Sequence, residues 1–181
     1  LSSSAIQEVY LDSQSALWVA TINGLNKYDA KLDVFIRVSL GNDLDIFAIA
    51  EKDENNLWLG TTEGLYRLNK KSGEYVSFHS STTDSNMNDN TVRRSILDLY
   101  DDHHGSLWVG TTKGVEHFDI ENKTFTPYLF KRGEETQNKE YGVNKIFKDK
   151  DDVLWLATTG GLAAYNRESD EFVFKYNEYL Q

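Results

Sequence analysis

Apolar residues in this chain come in short bursts, separated by runs of Asp, Asn, Lys, Ser and Gly. The bursts do not recur at helical spacing, and no segment combines the length and the caps of a helix. The pattern predicts short strands bounded by turns. One phrase returns four times: "ALWVATINGL" (Ala16 to Leu25), "NLWLGTTEGL" (Asn56 to Leu65), "SLWVGTTKGV" (Ser106 to Val115) and "VLWLATTGGL" (Val153 to Leu162). Its tryptophans, Trp18, Trp58, Trp108 and Trp155, are 40, 50 and 47 residues apart. Gly24, Gly64, Gly114 and Gly161 keep the same spacings, so the unit is rigid and its connections vary. A period of about 40–50 residues points to a propeller or a solenoid.

Each unit reads as four strands. Strand A is β-rich: Ile6 to Leu11, Ile46 to Ala50, Ile96 to Tyr100, Val143 to Phe147. A polar turn follows, holding Asp12, Asp53, Asp102 or Asp151. Strand B is the Leu-Trp phrase, with Trp on one face and Leu, Val or Leu on the other, as suits a strand covered on both sides. Gly60 and Gly110, with Ala20 and Ala157 in the same slot, leave room beside the indole. The later glycine turns strand B into strand C, which runs Leu25 to Tyr28, Leu65 to Leu68, Val115 to Phe118 and Leu162 to Tyr165. Strand D covers Phe35 to Val38, Tyr75 to Phe78, Phe125 to Tyr128 and Phe172 to Tyr176. The predicted class is all-β: a β-propeller of four-stranded antiparallel blades, four of them, at about 1–40, 41–80, 91–130 and 142–181. Both ends of the chain fall at unit boundaries, so the expected assembly is an open arc or partial propeller, and a piece of a longer protein. Its end faces would be apolar, and self-association through them is expected.

Composition narrows the classes. The 181 residues are 39% hydrophobic and 13% aromatic, enough for one domain with a core. A net charge of −10 disfavours nucleic acid. There is no cysteine, which excludes a disulfide scaffold and a thiolate zinc site. No run of apolar residues approaches a membrane span, and no membrane contact is expected of this stretch.

The third unit, through Ile96, Leu99, Asp102, Gly105, Leu107 to Thr111, Gly114-Val115, Phe118-Asp119, Phe125 and Tyr128, resembles the two-component regulator propeller repeat. The other three units share the pattern. The resemblance implies the sensor region of a hybrid two-component histidine kinase of Bacteroides type, held in the periplasm. It also implies a β-sandwich, membrane helix and kinase elsewhere in the parent, and oligosaccharide ligands. This stretch would then be non-enzymatic, with no cofactor.

Candidate chemistry is sparse. The D-to-A connections vary most and share a face with the B-to-C turns, and binding residues concentrate on such loops. Asn23, Glu63 and Lys113 differ from blade to blade within a fixed frame, as does Gly160. With the adjacent pair Arg93 and Arg94 they are the candidate ligand-binding residues. "DDHHG" and "DKDD" read as solvated turns rather than a cation cage. "DDHHGSLW" is similar to the sialidase Asp-box, but its spacing is off by one residue. No Gly-x-Ser-x-Gly, phosphate loop or nucleophile–base pair occurs. Two other readings stay open: a glycan-active enzyme on a propeller, and a scaffold that docks other domains.

Overall fold

The computed structural model describes residues 1–41, 43–80, 94–132, 135–137 and 140–175. The chain forms four sheets in order along the sequence, each built on four antiparallel strands. Blade one is β1 (Ile6–Leu11), β2 (Leu17–Thr21), β3 (Gly24–Asp29) and β4 (Val34–Val38). Blade two is β5 (Ile46–Asp53), β6 (Asn56–Thr61), β7 (Gly64–Asn69) and β8 (Tyr75–Phe78). Blade three is β9 (Ile96–Asp101), β10 (Ser106–Thr111), β11 (Gly114–Asp119) and β12 (Thr124–Tyr128). Two short strands follow, β13 (Phe130–Arg132) and β14 (Glu135–Gln137), and then blade four: β15 (Val143–Lys148), β16 (Leu154–Thr158), β17 (Gly161–Asn166) and β18 (Glu171–Phe174).

Three apolar cores lie between consecutive blades, and among the described residues none joins blade four to blade one. The stack is an unclosed arc of propeller blades. The first three tryptophans pack forward onto the leucine side of the next blade: Trp18 onto Leu57 and Leu59, Trp58 onto Leu107 and Val109, Trp108 onto Leu154 and Leu156. Truncating one such buried indole costs roughly 3–5 kcal/mol. Trp155 has no following blade among the described residues and is only half-buried, beside Phe147 (61% exposed) and Leu162 (46% exposed). At the other end Val9 and Leu11 are 57% and 64% exposed. One end face is thus of Trp type and the other of Leu type.

Gly60 and Gly110 serve a different neighbour from the one expected. A Cβ at Gly60 would lie 2.7 Å from Ile96 Cγ2 and 3.1 Å from Ile96 O; one at Gly110 would lie 3.0 Å from Val143 Cγ1. The glycines admit the first strand of the next blade, not the indole. That first strand carries a bulge at the same place in every blade, after Ile6, Ile46, Ile96 and Val143.

The four-strand blade is corrected at blade four. β13 pairs in parallel with β18, and β14 pairs with β13, giving a six-stranded sheet. Phe130 carries the addition: it is 3% exposed and stacks on Phe174 with ring centroids 5.4 Å apart. The added strand covers an outer edge that would otherwise be bare. The expected strand D of blade four ended at Tyr176, which lies outside the described residues.

Candidate functional sites at the blade boundaries

The mouth formed by the B-to-C turns is built four times by one device. The threonine hydroxyl donates to the glycine carbonyl three residues on: Thr21 to Gly24 (2.9 Å), Thr61 to Gly64 (2.9 Å), Thr111 to Gly114 (3.0 Å) and Thr158 to Gly161 (2.7 Å). The same oxygen accepts the backbone N–H of Asn23, Glu63, Lys113 or Gly160. Gly24, Gly64 and Gly161 have φ of 112°, 120° and 123°, a region open to glycine and strained for other residues.

The structure does not bring the candidate binding residues to one site. Asn23 donates through Nδ2 to the Ser2 carbonyl (3.3 Å), and Asn26 beside it holds Ser2 through N–H and hydroxyl contacts of 2.9 and 2.8 Å. Lys113 pairs with Glu140 (3.2 Å). Glu63 and Arg94 come together, lining a cavity of about 200 Å³ between blades two and three. Its wall includes Phe78, Phe125, His79 and Glu116. Arg93 lies outside the described residues.

Glu116 was not legible as a site residue. It sits mid-strand on β11 and is 2% exposed, where the other blades have Asn26, Tyr66 and Ala163. Arg94 Nη1 (2.8 Å) and the Ser80 hydroxyl (3.1 Å) reach its Oε1. A buried carboxylate is stable only when paired and hydrogen-bonded, and Arg94 supplies the charge. The cavity thus combines aromatic walls with a fixed array of charged and hydroxyl groups.

The opposite mouth, of A-to-B and C-to-D turns, differs sharply between boundaries. Between blades one and two, Lys70 Nζ lies 3.1 Å from Asp12 Oδ2 and 2.7 Å from Glu51 Oε1, with Lys70 4% and Asp12 1% exposed. Asp12 also accepts the Trp18 indole N–H (3.0 Å) and two turn N–H groups, of Gln14 and Ala16. Burial pushes the Asp12 carboxyl up, but the bonds from Trp18, Ala16 and Lys70 together hold it below the usual range. Glu51 behaves alike: burial raises it, and Lys70 and Ser13 more than offset that. Glu8, half-buried on the axis and accepting the Ile49 N–H, is pushed up by burial. Asp149 repeats the role of Asp12, accepting the Trp155 N–H at 2.7 Å. It is thus Asp149, not Asp151, that answers to Asp12 in the last unit, and Asp53 instead caps its own turn through Asn55 and Asn56.

Between blades three and four the same positions hold Asp102, Lys148 and Arg167, and a cleft of about 350 Å³ opens there. His103 and His104, in the segment read as a solvated turn, lie in the turn before β10; His103 has φ of 59° and an 80% exposed side chain. Among the described residues no group of three or more His, Cys, Asp or Glu is placed to hold a metal ion.

The resemblance seen in the sequence is borne out by comparison with known proteins. The two component regulator propeller profile matches residues 88–113. No curated protein matches the chain. Among solved structures, the extracellular domain of the hybrid two component system BT4673 from B. thetaiotaomicron superimposes with a TM-score of 0.73 at 18% identity. It covers 95% of this chain and 22% of its own. That of BT3049 from the same organism gives 0.72 at 22% identity, over 95% and 23% of the two chains. PorZ, an essential surface component of the type-IX secretion system of Porphyromonas gingivalis, gives 0.68 at 16% identity, over 97% and 28%. These likenesses show the propeller fold, and this chain spans about a quarter or less of the length of the two hybrid-system domains.

Proposed function

We propose that this chain is part of the extracytoplasmic, ligand-sensing propeller of a hybrid two-component sensor histidine kinase that responds to glycans. The observation that carries the reading is the superposition of nearly the whole chain on extracellular domains of two such systems, together with the family profile match on the third unit. This stretch would sit in the periplasm, hold no catalytic group and pass binding on through the way blades and protomers associate. The cavity at the blade two–three boundary supports a sugar ligand. Phe78 and Phe125 offer apolar walls to a ring face, while Glu63, Arg94 and Glu116 offer hydrogen-bonding groups for hydroxyls. Asn23 and Lys113, on the same mouth, would contact a longer oligosaccharide.

Calorimetric titration of an oligosaccharide library against this chain and its parent tests the reading. Saturable binding, weakened at least tenfold by Glu63→Gln or Arg94→Ala, is the expected result. Turnover of any glycan would favour a propeller enzyme. Silence across the library would favour a docking scaffold, a reading to which the likeness to PorZ lends weight. Self-association belongs to the same proposal: the Trp-type end of one copy fits the Leu-type end of another. Gel filtration at micromolar concentration is then expected to show a species larger than a monomer.

A further inference from the structure

The two mouths on the A-to-B side share a frame and differ in one charge. In the blade one–two boundary, Asp12 belongs to one blade and Glu51 and Lys70 to the next, so a single ammonium sits between two carboxylates and the mouth is filled. In the blade three–four boundary, Asp102 stands where Asp12 does and Arg167 where Lys70 does, counting from Trp18, Trp58, Trp108 and Trp155. Lys148 replaces Glu51. Two cations now share the space with two acids, Asp102 and Asp152, and both are held at Asp152 rather than at Asp102. Lys148 pairs outward with Asp152 (2.8 Å), and Arg167 Nη2 donates to the Asp152 carbonyl (3.1 Å). The cleft is what remains.

A second difference points inward. Ser106 occupies the position of Ala16 and Val153, and its hydroxyl takes the Asp102 oxygen that would otherwise receive the indole. Trp108, 8% exposed, lines the cleft with an N–H that no described residue accepts, whereas Trp18 and Trp155 both have their aspartate. Trp108, Tyr100 and Tyr165 give the cleft flat apolar surfaces, with Trp108 and Tyr165 centroids 5.5 Å apart.

We propose that this cleft binds a small carboxylate carrying a flat apolar ring, the carboxylate supplying against Arg167 and Lys148 the negative charge that Glu51 supplies against Lys70. Arg167 then bridges Asp102 and the ligand as Lys70 bridges Asp12 and Glu51. The guanidinium suits planar carboxylate recognition, and the ring rests against the aromatic wall. The site is on the mouth opposite the Glu63–Arg94 cavity and does not depend on the glycan reading.

Benzoate, its neutral isostere benzamide, and acetate, which lacks the ring, are titrated into the intact chain. Calorimetry and tryptophan fluorescence follow the binding. Benzoate is expected to saturate one site and to bind at least tenfold more tightly than either control. Arg167→Gln should weaken it at least tenfold. Lys148→Glu, which rebuilds the blade one–two arrangement, should abolish benzoate binding while leaving the melting temperature unchanged or higher. The proposal is overturned if benzoate shows no saturable binding, if benzamide binds equally well, or if Lys148→Glu keeps the affinity of the parent chain.

Discussion

The blade one–two and blade three–four boundaries use one backbone frame and one tryptophan, yet the first is sealed and the second gapes. Tyr10 and Tyr100 occupy equivalent places, as do Asp12 and Asp102. The Tyr10 hydroxyl accepts the Glu51 N–H at 3.2 Å, and Tyr100 instead faces Lys148. What separates the two is the sign of one side chain at the end of the incoming strand, Glu51 against Lys148, and the serine that takes the aspartate oxygen from the indole. The middle boundary shows a third solution. Ile120 takes the place of Lys70 and packs against the core around Phe118. Lys52 stands where Asp12 would, and no acceptor for the Trp58 indole N–H is found among the described residues. A propeller boundary thus tolerates ionic, apolar or open closure, because the large tryptophan-to-leucine contact beneath carries most of the stability.

The largest test of this comparison removes the central cation. Lys70→Ala leaves two buried carboxylates unpaired and should cost about 3–5 kcal/mol in urea unfolding. Arg167→Ala, at the equivalent but exposed position, should cost under about 1 kcal/mol. Equal losses would break the comparison. Next in size is packing: Gly60→Val forces atoms into Ile96 and the first strand of blade three, and should destabilise by about 1–3 kcal/mol, read as a lowered denaturant midpoint.

The response to acid sharpens the contrast further. Asp12 and Glu51 titrate below their ordinary range when folded, and Asp53 falls to about 2. Their contribution is present above the unfolded-state values and is lost as pH falls through the lowered ones, so stability should decline below about pH 4.5. Glu8 has the opposite sign, because its raised value means that protonation favours the folded state. Glu8→Gln, which keeps an acceptor for the Ile49 N–H, should therefore be neutral or slightly stabilising at pH 7. Replacing Lys70 by Met should remove the acid sensitivity of the first boundary and make stability rise between pH 7 and 5. Thermal melts across pH 3–8 read both effects. Smallest of all, Lys148→Glu should raise stability by about 0.5–1 kcal/mol in the same assay.

The fold was legible because the repeat states it four times. Trp18, Trp58, Trp108 and Trp155 are large, spaced alike and flanked by leucine on the other face, and no helix or solenoid needs that arrangement. The hairpin β13–β14 was not legible. It lies in a connection that occurs once, so nothing else in the chain marks Phe130 as buried. Of the candidate binding residues, Glu63 and Arg94 meet in one cavity because the blade boundary brings a turn of blade two against the entry to blade three. Asn23 and Lys113 lie elsewhere and have other partners, Ser2 and Glu140. The cleft beside Trp108 was hidden for a different reason. Its signal is the departure of Lys148, Arg167 and Ser106 from their counterparts at fixed distance from the tryptophan, and periodic patterning is blind to such departures.

The threonine–glycine bond at each B-to-C turn has a further consequence. The hydroxyl and the glycine shape the turn, so the side chain between them takes no part in holding it. Asn23, Glu63 and Lys113 are thus interchangeable heads on a common handle, whereas Gly160 is not, because a Cβ there would lie 2.2 Å from the buried Tyr141 ring. An acid, a base or an amide can be fitted at the rim of the first three blades without disturbing the sheet below.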